Sequence, residues 1–175
     1  MFRIELTPVA TTPTFVPLRE YLETSYRPDC DYLEGELLER NVGEWDHSRL
    51  QVLLSSYLSN REKQWGILVV LAQRLQVKSR RFRVPDIAVL TSPPSGQIVT
   101  EPPFLCIEIL SRSDHMEEMQ ERIDDYLEFG VRYVWLINPR KCRAFVYNAE
   151  GVREVKDGIL YTANPDLHVS LAELD

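Results

Sequence analysis

The sequence predicts one α/β domain, on three grounds. The 175 residues, 44% of them hydrophobic, are enough to bury a single substantial core and fall within the usual size of one domain. Between positions 45 and 65, Leu50, Leu53, Leu54, Tyr57 and Leu58 recur at helical spacing and mark one apolar face. Farther on, the apolar run 104–110, a capped helical stretch and a second apolar run at 131–137 follow one another as strand, helix and strand.

Residues 1–14, with prolines, scattered threonines and no sustained period, read as an extended lead-in, which leaves 15–175 as the single domain. Leu18, Tyr21 and Leu22 follow Pro17 at helical spacing, which predicts a short helix ending before Pro28. Residues 31–39 are two β-prone pieces around Gly35, a tight hairpin. The helix at 45–65 has Glu44 or Asp46 available near its start and Gly66 just beyond its end. Residues 67–77 read as one strand and, after a basic turn, 84–90 as another. Pro93, Pro94, Gly96, Pro102 and Pro103 then enclose a loop.

The run 104–110 has the pattern of a strand buried on both faces, interrupted only by Glu108. Ser113 and Asp114 offer N-caps, with Glu117 in capping-box spacing, so a helix runs to about 129 and stops at Gly130. Residues 131–137 return as a strand, Asn138-Pro139-Arg140 turns the chain, and 142–147 form a hairpin partner. The tail alternates short strands with Gly151, Gly158 and Pro165, and there is no repeat.

No apolar run approaches the roughly 18 residues of a membrane-spanning helix, and the N-terminus lacks the layout of a secretion signal, so a cytoplasmic protein with no membrane partner is expected. Cys30, Cys106 and Cys142 are odd in number and widely spaced, which fits neither a disulfide framework nor a CxxC metal site; they read as reduced, mostly buried thiols. The net charge of −7 argues against charge-driven coating of nucleic acid. Arg74, Lys78, Arg80, Arg81 and Arg83 nonetheless cluster, either as a phosphate-tracking strip or as a solvated hairpin.

Glu108 is the sharpest local oddity, because an isolated carboxylate in a dry strand is costly unless paired, protonated or metal-bound. Asp86, after Pro85 at the start of another short apolar strand, reaches the same end of the sheet if the two strands are neighbours. Two carboxylates converging there form a minimal oxygen-rich site for Mg²⁺, which takes one or two protein carboxylates and keeps several waters. The plainer alternative has Asp86 capping a turn and Glu108 pairing with an arginine.

Three segments carry a family resemblance: Val84-Pro85-Asp86-Ile87-Ala88-Val89, the run from Phe104 through Glu108 to Ser113, and the stretch from Tyr126 through Gly130, Val131 and Trp135 to Pro139. Together with the hairpin at Gly35-Glu36 and with His47, they resemble the Uma-type family of restriction-endonuclease-like proteins, of the PD-(D/E)XK nuclease type, from about Tyr21 to the C-terminus. The resemblance implies a mixed β-sheet core flanked by helices, with extra N- and C-terminal hairpins. It implies metal-dependent hydrolysis of DNA phosphodiesters, with Asp86 and Glu108 as ligands of Mg²⁺ or Mn²⁺ and the carbonyl of Ile109 as a third oxygen. DNA is then the partner, a homodimer would bring two sites to two strands, and no organic cofactor is expected.

Nuclease relatives place a lysine two positions after the glutamate; here that position is Leu110. In the Uma-type pattern a helix lysine four residues before the tyrosine stands in, and that position here is Arg122. An arginine supplies charge to a phosphorane-like transition state but not a base; spacing alone pairs it instead with Glu118. By the same resemblance His47 and Glu36 join the site, against plainer roles as a helix-start residue and a solvated turn residue. Gln73 is a further candidate for such a cleft. Tyr133 and Trp135 read as core, His115 and Met116 as capping and packing residues, and His168 as inert. The rival functions are a nuclease-fold binding or regulatory module that has lost catalysis and a hydrolase of smaller phosphoesters.

Overall fold

Alternating apolar residues along the central strands, and helical stripes between them, build two layers of core around one sheet. The structure, a computed structural model, describes residues 15–40 and 43–174. The lead-in expected at 1–14 lies outside the described residues. A short helix α1 (Leu18–Glu23) precedes the hairpin β1 (Cys30–Leu33) and β2 (Glu36–Glu39), which turns at Glu34 and Gly35, both at positive φ. Helix α2 (Trp45–Ser59) follows, and α3 (Glu62–Trp65) ends on Gly66 in the left-handed conformation. The helix expected as one piece at 45–65 is thus broken at Asn60, although its glycine stop is where the sequence puts it.

The segment expected as one strand at 67–77 is two, β3 (Leu68–Leu71) and β4 (Leu75–Lys78), and they belong to different sheets. Ala72, at φ 48°, turns the chain between them, a kink that β-propensity does not signal. The chain passes back after β5 (Arg81–Arg83), through Val84-Pro85-Asp86, into β6 (Ile87–Leu90). Then come β7 (Leu105–Ile109), α4 (Met116–Phe129), β8 (Tyr133–Asn138), a 3₁₀ turn (Pro139–Lys141), β9 (Arg143–Asn148) and β10 (Gly151–Glu154). The tail adds β11 (Ile159–Tyr161) and β12 (His168–Ser170) as a separate antiparallel pair.

The main sheet has six strands in the order β10-β9-β8-β7-β6-β3, with β7 and β8 parallel and every other pair antiparallel. It is the mixed sheet that the resemblance implies. The parallel pair needs a crossover, and α4 supplies it. A four-stranded sheet, β2-β1-β5-β4, stands beside it. Strand β7 is buried throughout, and its side chains alternate. Leu105, Ile107 and Ile109 pack with Leu54 and Leu58 of α2, whereas Cys106 and Leu110 pack with Met119, Ile123 and Tyr126 of α4. Glu108 therefore shares the α4 face.

Trp135 is fully buried in the core and Tyr133 packs against it, as the apolar run 131–137 predicts. All three cysteines are free, Cys30 and Cys106 buried and Cys142 exposed. Among the described residues no helix is long and apolar enough to cross a membrane.

Candidate active site

The chain changes sheets at residues 84–86, and sheet pairing lapses there. Asp86 sits at this crossing, one residue before β6. Because Ile87 pairs with Ile107 in the antiparallel register, Asp86 stands opposite Glu108. The two acids therefore meet at one end of the sheet. Their oxygens converge on a single atom, the Nη2 of Arg40, which donates to Glu108 Oε2 at 2.6 Å and to Asp86 Oδ1 at 3.0 Å. Arg40 follows β2, and its backbone N–H donates a hydrogen bond to the Asp29 carbonyl at 2.7 Å. Both readings of the sequence are thus partly right: the acids meet each other, and they pair with an arginine. That arginine had no signal in the sequence.

Asp86 is held from several sides. Its Oδ2 accepts the Ile109 amide at 2.8 Å and lies 3.1 Å from His47 Nε2, while Gln51 Nε2 donates to its carbonyl at 2.9 Å. Burial disfavours its charge, but Arg40, His47 and the Ile109 amide outweigh that and hold its pKa below the ordinary value. Burial likewise opposes charge on His47, yet its bond to Asp86 raises its pKa. His47 is itself buried in the first turn of α2.

Glu108 is fully buried, and its Oε1 accepts the Tyr126 hydroxyl at 2.6 Å. Burial lifts its pKa, and the charges of Arg40 and Arg122 oppose that shift without cancelling it. Arg122 is buried as well, with Nη1 3.9 Å from Glu108 Oε2 and Nε donating to Asp31 Oδ2 at 3.1 Å. The pairing with Glu118 expected from helical spacing is not the one formed; Glu118 is exposed. Arg122 lies on the stripe Met119, Ile123, Tyr126, so its side chain is turned inward.

Behind the two acids lies a charged lattice. Asp31, on β1, accepts Arg83 Nη1 at 3.1 Å and the Val84 amide at 2.8 Å. Arg83 Nε donates to Asp125 Oδ2 of α4 at 2.8 Å. Arg81 bonds Glu34, Glu121 and Asp125, Lys78 lies 2.9 Å from Glu128, and Arg74 bonds the carbonyls of Tyr21 and Thr24. These cations of the basic cluster are engaged with the protein's own acids and carbonyls. The solvated hairpin holds for Lys78 and Arg80, which are exposed on the antiparallel pair β4–β5, but not for Arg83, which is wholly buried.

Glu36 is not brought into the cluster. It pairs with Leu33 at the closing end of the β1–β2 hairpin and is exposed. The acid that this hairpin sends inward is Asp31, whose burial on a short strand between Cys30 and Tyr32 shows no period from which to read it. Gln73 bonds the carbonyls of Arg74 and Gln97 and bridges a loop. Leu110 is buried in the α4 layer. His115 is the N-cap of α4, one residue later than the caps expected, and makes no side-chain cap bond; Asp114 accepts the Ser111 amide.

Arg40, His47, Gln51, Ala72, Pro85 and Asp86 line a cleft of about 230 Å³ that opens the site to solvent. Ala72 and Asp86 mark the points where the chain leaves the main sheet after β3 and returns to it before β6, so the cleft follows from the topology. The donor set of two carboxylates, with the Ile109 carbonyl next to one of them, suits a hard divalent cation. That both carboxylates already close on one cationic nitrogen shows that the pocket accommodates positive charge at their meeting point. Among the described residues no group of three or more histidine, cysteine, aspartate or glutamate side chains forms a metal cage. An ion here would rest on two carboxylates, backbone oxygen and water.

The crystal structure of a protein described as a "putative nuclease belonging to DUF820", from Anabaena variabilis, is similar to this chain at 26% identity and a TM-score of 0.78, over 91% of this chain and 97% of that one. A cryo-EM structure of a DrdV–DNA complex overlaps at 14% identity and a TM-score of 0.41, over 69% of this chain and 10% of that one, and carries no weight. No curated protein matches the chain. With its nuclease-like fold in place, and matched over residues 18–171 by the model of the Uma2 family, described as "Putative restriction endonuclease", this chain belongs to that family.

Proposed function

We propose that this protein is a metal-dependent endonuclease acting on DNA phosphodiesters, with Asp86 and Glu108 holding Mg²⁺ or Mn²⁺ and the Ile109 carbonyl as a third oxygen. The supporting observation is the convergence of the two buried carboxylates, from neighbouring strands, on one point beside an open cleft. A bound ion supplies polarisation of the phosphoryl oxygen and a lowered pKa for an attacking water. The chain's own residues do the rest. Tyr126 orients Glu108, and His47 and the Ile109 amide orient Asp86. Arg122, close to Glu108 and fixed by Asp31, supplies positive charge to the transition state; as an arginine it does not act as a base. A homodimer would present two such sites to the two strands of a duplex.

The test is cleavage of plasmid DNA by the purified protein with Mg²⁺ or Mn²⁺. Asp86→Ala and Glu108→Gln should each lower the rate at least about a thousandfold while circular dichroism stays unchanged. Cutting that survives both substitutions overturns the assignment. Arg40 between the acids, with arginine rather than lysine at position 122, favours a second reading, a nuclease-fold module that binds without cutting. Stoichiometric Mn²⁺ binding with no cleavage of DNA would select it.

A further inference from the structure

The site already contains a cation. Arg40 Nη2 touches both carboxylates that a divalent ion would have to share, and its side chain is almost completely buried against them. A guanidinium stays charged in a protein whatever its surroundings, and here it lies 2.6 Å from Glu108 and 3.0 Å from Asp86. A divalent ion at the same point would meet this fixed positive charge at contact distance. Beyond it stands the second cation, Arg122. Arg40 already neutralises part of the charge of the two carboxylates, so an ion added with Arg40 still in place brings surplus positive charge to their meeting point in a low-dielectric pocket.

The two arginines are not equally able to yield. Arg122 lies on the inward stripe of α4 and is tied to the fully buried Asp31. Arg40 lines the cleft, with its backbone pinned at Asp29 and a long side chain beyond that point. Rotation about its side-chain bonds carries the guanidinium into the cleft without disturbing either sheet.

Resting on the metal reading above, we propose that Arg40 is a tethered competitor of the divalent ion: it holds Asp86 and Glu108 together in the metal-free protein and must swing into the cleft for the ion to bind. The pairing also explains how two buried acids coexist at one point before the ion arrives. In the displaced position the guanidinium stands in the solvent-open cleft beside the acids, where a phosphate would lie. The competition sets a threshold, so that the ion binds more weakly than its ligands alone would allow.

Two measurements test this. Mn²⁺ binding, followed by electron paramagnetic resonance of free Mn²⁺, should be at least about tenfold tighter in Arg40→Gln than in the unaltered protein. Independently of any variant, phenylglyoxal labelling read by mass spectrometry should find Arg40 protected without metal and modified under saturating Mn²⁺. Arg83, wholly buried, should stay protected in both conditions. Equal or weaker Mn²⁺ binding by Arg40→Gln overturns the competition and leaves the metal site standing. So does an Arg40 that stays protected while Mn²⁺ binds stoichiometrically. Absence of Mn²⁺ binding in both proteins removes the metal reading and this inference with it.

Discussion

Asp31 illustrates how one buried carboxylate can tie three parts of a molecule together. It accepts bonds from Arg83, Arg122 and the Val84 amide, and so links β1, the sheet crossing and α4. Burial opposes its charge, but Arg122, Arg40, Arg83 and the Val84 amide hold its pKa below the ordinary carboxylate value. A depressed carboxylate contributes stability that is present above its unfolded pKa and lost as pH falls through the lower folded value. Asp31→Asn should therefore cost about 3–5 kcal/mol near neutral pH, because it leaves two buried arginines undercompensated. The gap should narrow in urea titrations only as pH drops below the ordinary aspartate range. The thiols offer a simpler check. Burial pushes Cys30 up to about 11 and Cys106 well above the ordinary thiol value, whereas Cys142 is exposed. In the native protein iodoacetamide should label Cys142 alone, with the other two reacting only after denaturation.

Among the elements, α4 carries the most. Its stripe of Met119, Ile123 and Tyr126 packs on the main sheet, and Arg122 and Asp125 on the same inward side reach the second sheet. The helix must stop abruptly to re-enter as β8, and Gly130 does this at φ 107°. A Cβ there would stand 3.1 Å from Pro102 and would demand a conformation that L side chains rarely adopt. Gly130→Ala should cost about 1–2 kcal/mol by equilibrium denaturation. The expected continuous helix at 45–65 and strand at 67–77 failed for a common reason: Asn60 and Ala72 turn the chain where neighbouring elements claim it, and local propensity carries no such information.

At the scale of the whole molecule, the two sheets are joined by buried charge as well as by apolar packing. Arg83, at the end of β5, spans from Asp31 of the small sheet to Asp125 of α4. Arg83→Met should leave both acids undercompensated and loosen the small sheet first. Amides of β1 and β5 should exchange with deuterium faster, on the order of a hundredfold, while those of β7 and β8 keep their protection. Uniform loss in all four strands would instead mean that the sheets open as one unit.

The meeting of Asp86 with Glu108 needed the pairing of β6 with β7, whereas what the sequence determined by itself were the local patterns: the hairpin at Gly35, the doubly buried strand with one acid in it, and the glycine stops at Gly66 and Gly130. Each is written in a period, a turn residue or a spacing that few neighbours can override. Which cation would sit between those acids was decided by tertiary structure alone. Arg40 lies 46 residues from Asp86 and 68 from Glu108, and a guanidinium on a long side chain leaves no period to read. Arg122 falls between the two cases. Its place on an apolar stripe announced burial, but only the packing of β1 against α4 supplied Asp31 as its partner. A charged side chain shows in a sequence where it attaches, and only the fold brings it the opposite charge.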